Sequence, residues 1–390
     1  MKKLLTAFLA SAISLSASAL ITGDGFYRVQ NYQTGRFIYV LDDKGSLNFQ
    51  ATTAELGAIQ LWKGYENTIS DPATIIYVKS LDDKGQNFDL QTQGTGVKSM
   101  IDYPVTIYLA NKNLGIYSIY GRNSGLVRYI GDATESDADR GYTTSNGNGN
   151  YHRWYFHPLT TDDSSYFGIT PELQDGSDYY ATLYADFPFT THSEGMTAYT
   201  VALVENGVAY VAEINGTVPR ATPVIIKCSS ASPAGNKLDI GGDAPMLTGN
   251  KLKGVYFNNT SLLHKNLTPN DKATMRVLGR LSDGSIGFVT SNDQYLPRNK
   301  AYLTVAPGTP DELRIEPVNA AISNVVADNI TVSVNGHDIY VNGAEKVEIF
   351  NMTGQLVISQ DNPAGSAITL PAPGVYVVHA DNHVEKVIIH

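Results

Sequence analysis

Paired carboxylates are the residues in this chain whose type and spacing most invite chemistry. Asp42-Asp43, Asp82-Asp83 and Asp162-Asp163 suggest glycoside hydrolysis, which needs two carboxyl groups facing one bond about 5–9 Å apart. Adjacent residues serve that purpose badly: on a strand they point to opposite faces, and in a turn they fan into water. The pairs sit in LDDKG, LDDKG and TTDDSS, so solvated turn acids are the better reading. Asp132, Glu135, Asp137 and Asp139 crowd a Gly/Asn-rich stretch running to Tyr151, without the spacing of an EF-hand. His152 and His157 flank Trp154 in HRWYFHPL with no third ligand nearby, which reads as a polar strand edge rather than a metal pair. Cys228, the only cysteine, lies in the strand-like run TPVIIKCSS and reads as a small buried hydrophobe. His-Glu-x-x-His, Gly-x-Ser-x-Gly, P-loop and Gly-x-Gly-x-x-Gly motifs are absent. No catalytic residue, metal or cofactor is expected.

The elements that would position these side chains follow a repeat. Tyr27, Tyr77 and Tyr117 are each followed eight residues later by glycine, in YRVQNYQTGRFIYV, YVKSLDDKGQNFDL and YSIYGRNSGLVRYI. Each copy is a strand-like run, a polar turn, and a second apolar run. A period of 40 to 50 residues marks supersecondary units that must stack to bury their apolar faces. Glycine between the runs suits a turn needing positive φ. A second marker travels with the first: Gln60-Leu61-Trp62 lies 25 residues after Gly35, and His152-Arg153-Trp154 begins 27 after Gly125. The middle copy has only Tyr108 as a bulky aromatic near that offset, so Trp62, Trp154 and Tyr108 are expected at related buried positions.

Three β-rich repeats of about 45 residues, each closing on an aromatic, resemble the ricin-type β-trefoil, whose repeats end in Gln-x-Trp. The likeness covers 22–160. It implies a carbohydrate-binding fold with an acid in the loop after each repeat's first strand. The first copy has Tyr32 and Gln33 there and the third Arg122 and Asn123, so only Asp82 and Asp83 of the second copy match. With Asn87, and Phe88 or Tyr103 as an aromatic platform, they form the ligand site that the resemblance implies. A sugar needs both a carboxylate or amide for its hydroxyls and an apolar ring for its face.

Residues 161–318 begin with a polar boundary and continue as short strands separated by Asn206-Gly207, Asn215-Gly216 and Asp283-Gly284, the pattern of a β-sandwich. The pieces GSIGF and NKAYL resemble a sandwich domain of exported Bacteroidetes-type proteins. Residues 319–390 hold VEIFNMTGQLV, LPAPGVYVV and VEKVII, which resemble the C-terminal sorting domain of type IX-secreted and surface proteins. The expected fold is therefore all-β: an N-terminal β-trefoil, a central β-sandwich and a small C-terminal β-sandwich.

Lys2 and Lys3, the apolar run Leu4 to Leu15, and Ala17-Ser18-Ala19 read as an export signal over 1–19, leaving Leu20 as the first mature residue. No run is long and apolar enough to span a bilayer. Lys and Arg number 28 against 38 Asp and Glu, a net charge of −10, and no basic cluster exists to neutralise nucleic-acid phosphates. A single cysteine in an exported chain forms no internal disulfide, so the domains must stand on packed cores. The trefoil resemblance implies glycan binding, and with the export features it predicts a non-catalytic, glycan-binding protein at the cell surface or secreted, with glycans or host or bacterial surface proteins as partners. The alternative is a protein-interaction scaffold.

Overall fold

The computed structural model describes residues 21, 23–40, 59–62, 68–83, 87–92, 105–123, 126–132, 141–144, 146–162, 165–258, 266–318, 331–344, 346–361, 363, 365–380 and 383–389. The export segment, Asp42, Asp43, Gly85, Tyr103, Gly125, Glu135, Asp137, Asp139 and Asp163 lie outside the described residues, as do the side chains of Trp62, Arg122 and Asn123. Among the described residues the chain is all-β, with thirty strands and three single-turn 3-10 helices. No described helix is long and apolar enough to cross a membrane.

The first unit holds β1 (Gly25–Asn31), β2 (Phe37–Val40), β3 (Ile59–Trp62), β4 (Ile76–Ser80), β5 (Asn87–Thr92), β6 (Val105–Asn111), β7 (Ile116–Asn123), β8 (Leu126–Asp132), β9 (Gly141–Thr144) and β10 (Trp154–Pro158). β10 pairs with both β1 and β7, so the path β1-β4-β5-β6-β7-β10 closes on itself, with β2–β3 and β8–β9 attached outside it. Closure removes the unpaired edges that an open sheet would expose. Strand alternation sends Val29, Ile76, Val78, Leu90, Ile119 and Phe156 into the enclosed core. Trp154 joins them fully buried, its Nε1 donating to the Ile130 carbonyl at 3.0 Å. Tyr108 does not. It is 59% exposed, because Ile107 takes the inward position on β6 and the period-two pleat leaves the neighbouring ring outside. Gly35 has φ +69°, the conformation expected at the end of the first turn.

Asp132, the first acid of the crowded stretch that runs to Tyr151, is wholly buried. Arg36 grips it at two points, with Nε 2.8 Å from Oδ2, and the Thr34 hydroxyl donates to the same carboxylate. This group pins the β1–β2 turn to the end of β8.

The second unit contains β11 (Phe167–Gly168), β12 (Leu173–Asp175), β13 (Asp178–Leu183), β14 (Phe189–Thr191), β15 (Thr197–Glu205), β16 (Val208–Ile214), β17 (Val224–Cys228), β18 (Lys237–Ile240), β19 (Leu252–Val255), β20 (Met275–Arg280), β21 (Ile286–Val289), β22 (Lys300–Thr304) and β23 (Glu312–Pro317). Ten of these form one sheet in the order β12-β13-β17-β15-β16-β23-β21-β20-β22-β19, with β16 and β23 parallel. The other three pair as β11-β18-β14. Asn206 and Gly207 close the β15–β16 hairpin with φ of +51° and +76°, as a two-residue turn matched to strand twist requires.

The first two units share buried contacts. Arg28 alternates with Tyr27 and Val29 on β1 and so points away from the first core, yet it is 0% exposed. Its guanidinium donates to the carbonyls of Ser165 (3.1 Å), Tyr166 (2.8 Å) and Ile69 (3.1 Å) and to the Thr74 hydroxyl (3.2 Å). Phe26 meets Phe187 edge to face at 6.2 Å, and Ile75 belongs to the core of the second unit. Arg298 clasps Asp71 with bonds of 2.7 and 2.6 Å.

Cys228 lies in the core, 2% exposed, where burial, and then the negative Glu172, push its thiol up to about 12. A buried thiol of that basicity is inert. The folded protein at pH 8 should therefore resist alkylation by iodoacetamide and react fully in denaturant, as mass spectrometry would read; rapid modification of the native chain would place Cys228 at an accessible site.

The third unit comprises β24 (Thr331–Asn335), β25 (Asp338–Asn342), β26 (Lys346–Asn351), β27 (Leu356–Asp361), β28 (Ala367–Thr369), β29 (Gly374–Ala380) and β30 (His383–Ile389). Two sheets, β24-β25-β28 and β27-β26-β29-β30, contribute to one core, including Ile339, Val341 and Ile368 from the first and Ile349, Val378 and Ile389 from the second. The β26–β27 turn closes on Gly354 at φ +79°, with the Asn351 carboxamide accepting from Thr353 and Gln355.

Candidate functional site

Asp82 and Asn87, two of the residues selected from sequence, bond to each other across the ends of the β4–β5 connection. Asp82 accepts from the Asn87 backbone N–H at 3.2 Å and from its side-chain amide at 2.6 Å. Leu81 N–H donates to the Asn87 carbonyl, closing the loop between β4 and β5. Asp83 is exposed. Phe88 is not available as a platform: it is 4% exposed and packed in the first core, because it follows outward-facing Asn87 on β5 and alternation turns it inward. The structure thus brings Asp82 and Asn87 together, leaves Asp83 in solvent, and takes Phe88 away from both. Tyr103 lies outside the described residues.

A larger concavity begins on the strand that leads into that turn. It is a cleft of about 740 Å³ between the first two units. One wall comes from Asp24, Phe26 and Tyr77, the other from Asp186, Phe187 and Arg220. The segment after β18, Gly241 to Met246, forms a rim, and Met246 is 60% exposed. Gly241 and Gly242 have φ of +123° and +89°, so the turn from β18 into that rim suits glycine.

Strand phase puts Tyr77 here. On β1 the inward residues are Tyr27 and Val29, whereas on β4 they are Ile76 and Val78, so the tyrosine of the second copy faces out. Its ring lies 4.8 Å from that of Phe26, and its hydroxyl is 3.5 Å from Asp24 Oδ2. Asp24 is fixed by the Ser80 N–H, which donates to Oδ1 at 2.6 Å. Burial, followed by the Asp24 charge, raises the Tyr77 hydroxyl above the usual tyrosine range, so it remains a neutral donor and acceptor.

Across the cleft, Arg220 binds Asp186 through Nε at 2.9 Å and Nη2 at 2.5 Å. The Asp186 side chain is 2% exposed and that of Arg220 is 42% exposed, so the buried acid holds a guanidinium whose outer face meets solvent. This bond raises the Arg220 pKa further and keeps the group charged. Behind it, Tyr184 and Tyr256 stack with ring centroids 4.1 Å apart. Gly254 leaves room for that stack, since a Cβ there would lie 2.0 Å from the Tyr184 ring.

No protein-family model matches the chain. No curated protein matches it in sequence. Among solved structures it is similar to one reported for a mosquitocidal holotoxin, at 13% identity and a TM-score of 0.26, with 94% of this chain and 43% of that chain covered. The chain thus spans less than half the length of that protein, and a score at this level does not establish a shared fold.

Asp186, the most buried carboxylate of the cleft, is committed to Arg220 and poorly placed to exchange a proton. Among the described residues there is no group of three or more His, Cys, Asp or Glu side chains able to hold a metal. What remains is a half-buried aromatic pair, a carboxylate acceptor and a guanidinium donor around an open concavity. Sequence reading found none of Asp24, Phe26, Asp186 or Arg220 as site residues, and it read Tyr77 only as a repeat marker. The available signal was the phase of TIIYVK, in which isoleucine and valine bracket the tyrosine, against that of GFYRVQ.

Proposed function

We propose that this protein is an exported, non-catalytic glycan-binding protein. Its first unit is a ricin-type β-trefoil, and its second and third units are β-sandwiches, the last of them a sorting domain for a cell-surface or secreted destination. The closed six-strand path with hairpins outside it supports the trefoil reading. The observation that carries the binding reading is the juxtaposition in one cleft of the Phe26–Tyr77 ring pair, the Asp24 carboxylate and the Arg220 guanidinium. A pyranose lays its apolar face on an aromatic ring and exchanges hydroxyl hydrogen bonds with charged groups, which make bonds roughly twice as strong as neutral ones. Asp24 would accept from one hydroxyl while Arg220 donates to another.

The test is a broad glycan panel with the mature chain and with Tyr77→Ala. A shallow site of this kind is expected to bind at roughly millimolar Kd, about −4 kcal/mol, and Tyr77→Ala should weaken that binding about tenfold, or roughly 1.4 kcal/mol. Glycan binding that survives this change but is lost in Asp82→Asn would move the site to the β4–β5 turn. Absence of binding to every glycan would favour the scaffold reading, for which exposed Met246 on the rim and its neighbour Leu247 offer an apolar protein contact.

A further inference from the structure

The charges around the cleft point to the kind of glycan it takes, an inference that rests on the glycan-binding reading. Three carboxylates, Asp24, Asp186 and Asp243, line the cleft against one guanidinium, Arg220. Asp186 neutralises Arg220 at two points, which leaves a local charge of about −2 from Asp24 and Asp243, both exposed. An anionic sugar would meet that field unfavourably, whereas a cation would be drawn into it over a distance of about 8 Å at physiological salt. The Phe26–Tyr77 pair adds ring faces that attract a desolvating cation.

We infer that the cleft binds an amino-sugar unit carrying a free, protonated amine. The ammonium pairs with Asp24 beside the Tyr77 ring, and the ring hydroxyls face Arg220. A basic peptide would satisfy the same charges, but an extended peptide gains much of its hold from a free strand edge. The lining strands β1, β4 and β18 are interior to their sheets. β1 is paired with β2, β4 and β10, β4 lies between β1 and β5, and β18 lies between β11 and β14. A discrete ring with several hydroxyls uses the site better.

The decisive measurement is calorimetric titration of the full mature chain with four probes: a glucosamine tetramer, its N-acetylated counterpart, a uronic-acid tetramer and a lysine tetrapeptide. The glucosamine tetramer is expected to bind at least about tenfold more tightly than the other three, and to weaken as salt rises. Asp24→Asn keeps the side-chain oxygen that accepts from Ser80 N–H, so the fold is retained; it should abolish the preference for the amine, bringing the glucosamine tetramer down to the affinity of its N-acetylated counterpart. Equal affinity for amine and N-acetyl probes, both reduced by Tyr77→Ala, would overturn the amine preference and leave glycan binding standing. Tighter binding of the tetrapeptide would overturn it in favour of a protein ligand. Failure of all three sugars would remove the glycan reading itself.

Discussion

Replacing Trp154 by Ala is expected to cost about 3–5 kcal/mol of stability, the range for deleting a buried aromatic and leaving a cavity. Trp154 is fully enclosed among Val29, Phe156, Ile130 and their neighbours, and its indole N–H satisfies the Ile130 carbonyl. Alanine would lose the ring's contacts and leave that carbonyl without its donor. Trp154→Phe should recover most of the packing and still lose the hydrogen bond, worth roughly 1 kcal/mol. Denaturant unfolding followed by far-UV circular dichroism gives both values. A loss below about 1 kcal/mol for the alanine variant would mean that this ring is not at the centre of the first core.

Arg28→Met is expected to be as damaging, at roughly 3–5 kcal/mol. Methionine fills much of the arginine stem's volume, so the loss would come from the three carbonyls and one hydroxyl that the guanidinium now serves in a site closed to water. Arg28→Lys should recover little, since one ammonium cannot reproduce a planar fork reaching Thr74, Ile69, Ser165 and Tyr166 together. Because two of those carbonyls belong to 165–166, the damage should appear first as proteolytic nicking between the first and second units. A variant that unfolds like the wild type and resists protease would show that this arginine is not what joins them.

The all-β class was legible because alternation, turn glycines and β-branched runs all speak locally. Asn206-Gly207 specifies its hairpin from two residues, and YRVQNYQTGRF carries the turn that ends at Gly35. Burial was less legible, since it depends on phase and on what covers the outer face of a strand. Phe88 and Tyr108 were assigned to the wrong sides for the same reason: a one-residue shift on a strand reverses the face, and sequence copies aligned on Tyr and Gly did not fix that phase. Asp132 and Arg28 show a second limit. Each is an ordinary charged residue in its local sequence, and each is buried by a partner far away in the chain, Arg36 at a separation of 96 residues and Ser165 at 137. The cleft was invisible on the same grounds, since Asp24 and Tyr77 come from one unit, while Asp186 and Arg220 come from another.

The central claim, that a glycan binds between the first and second units, is tested most directly by hydrogen exchange on the full mature chain at saturating concentration of the tightest-binding glycan. Protection is expected in two separate stretches at once, around 24–27 and 76–78 on one wall and around 186–188, 220 and 240–246 on the other, with little change at 81–88. Protection confined to the β4–β5 turn, or spread over one unit alone, would contradict it.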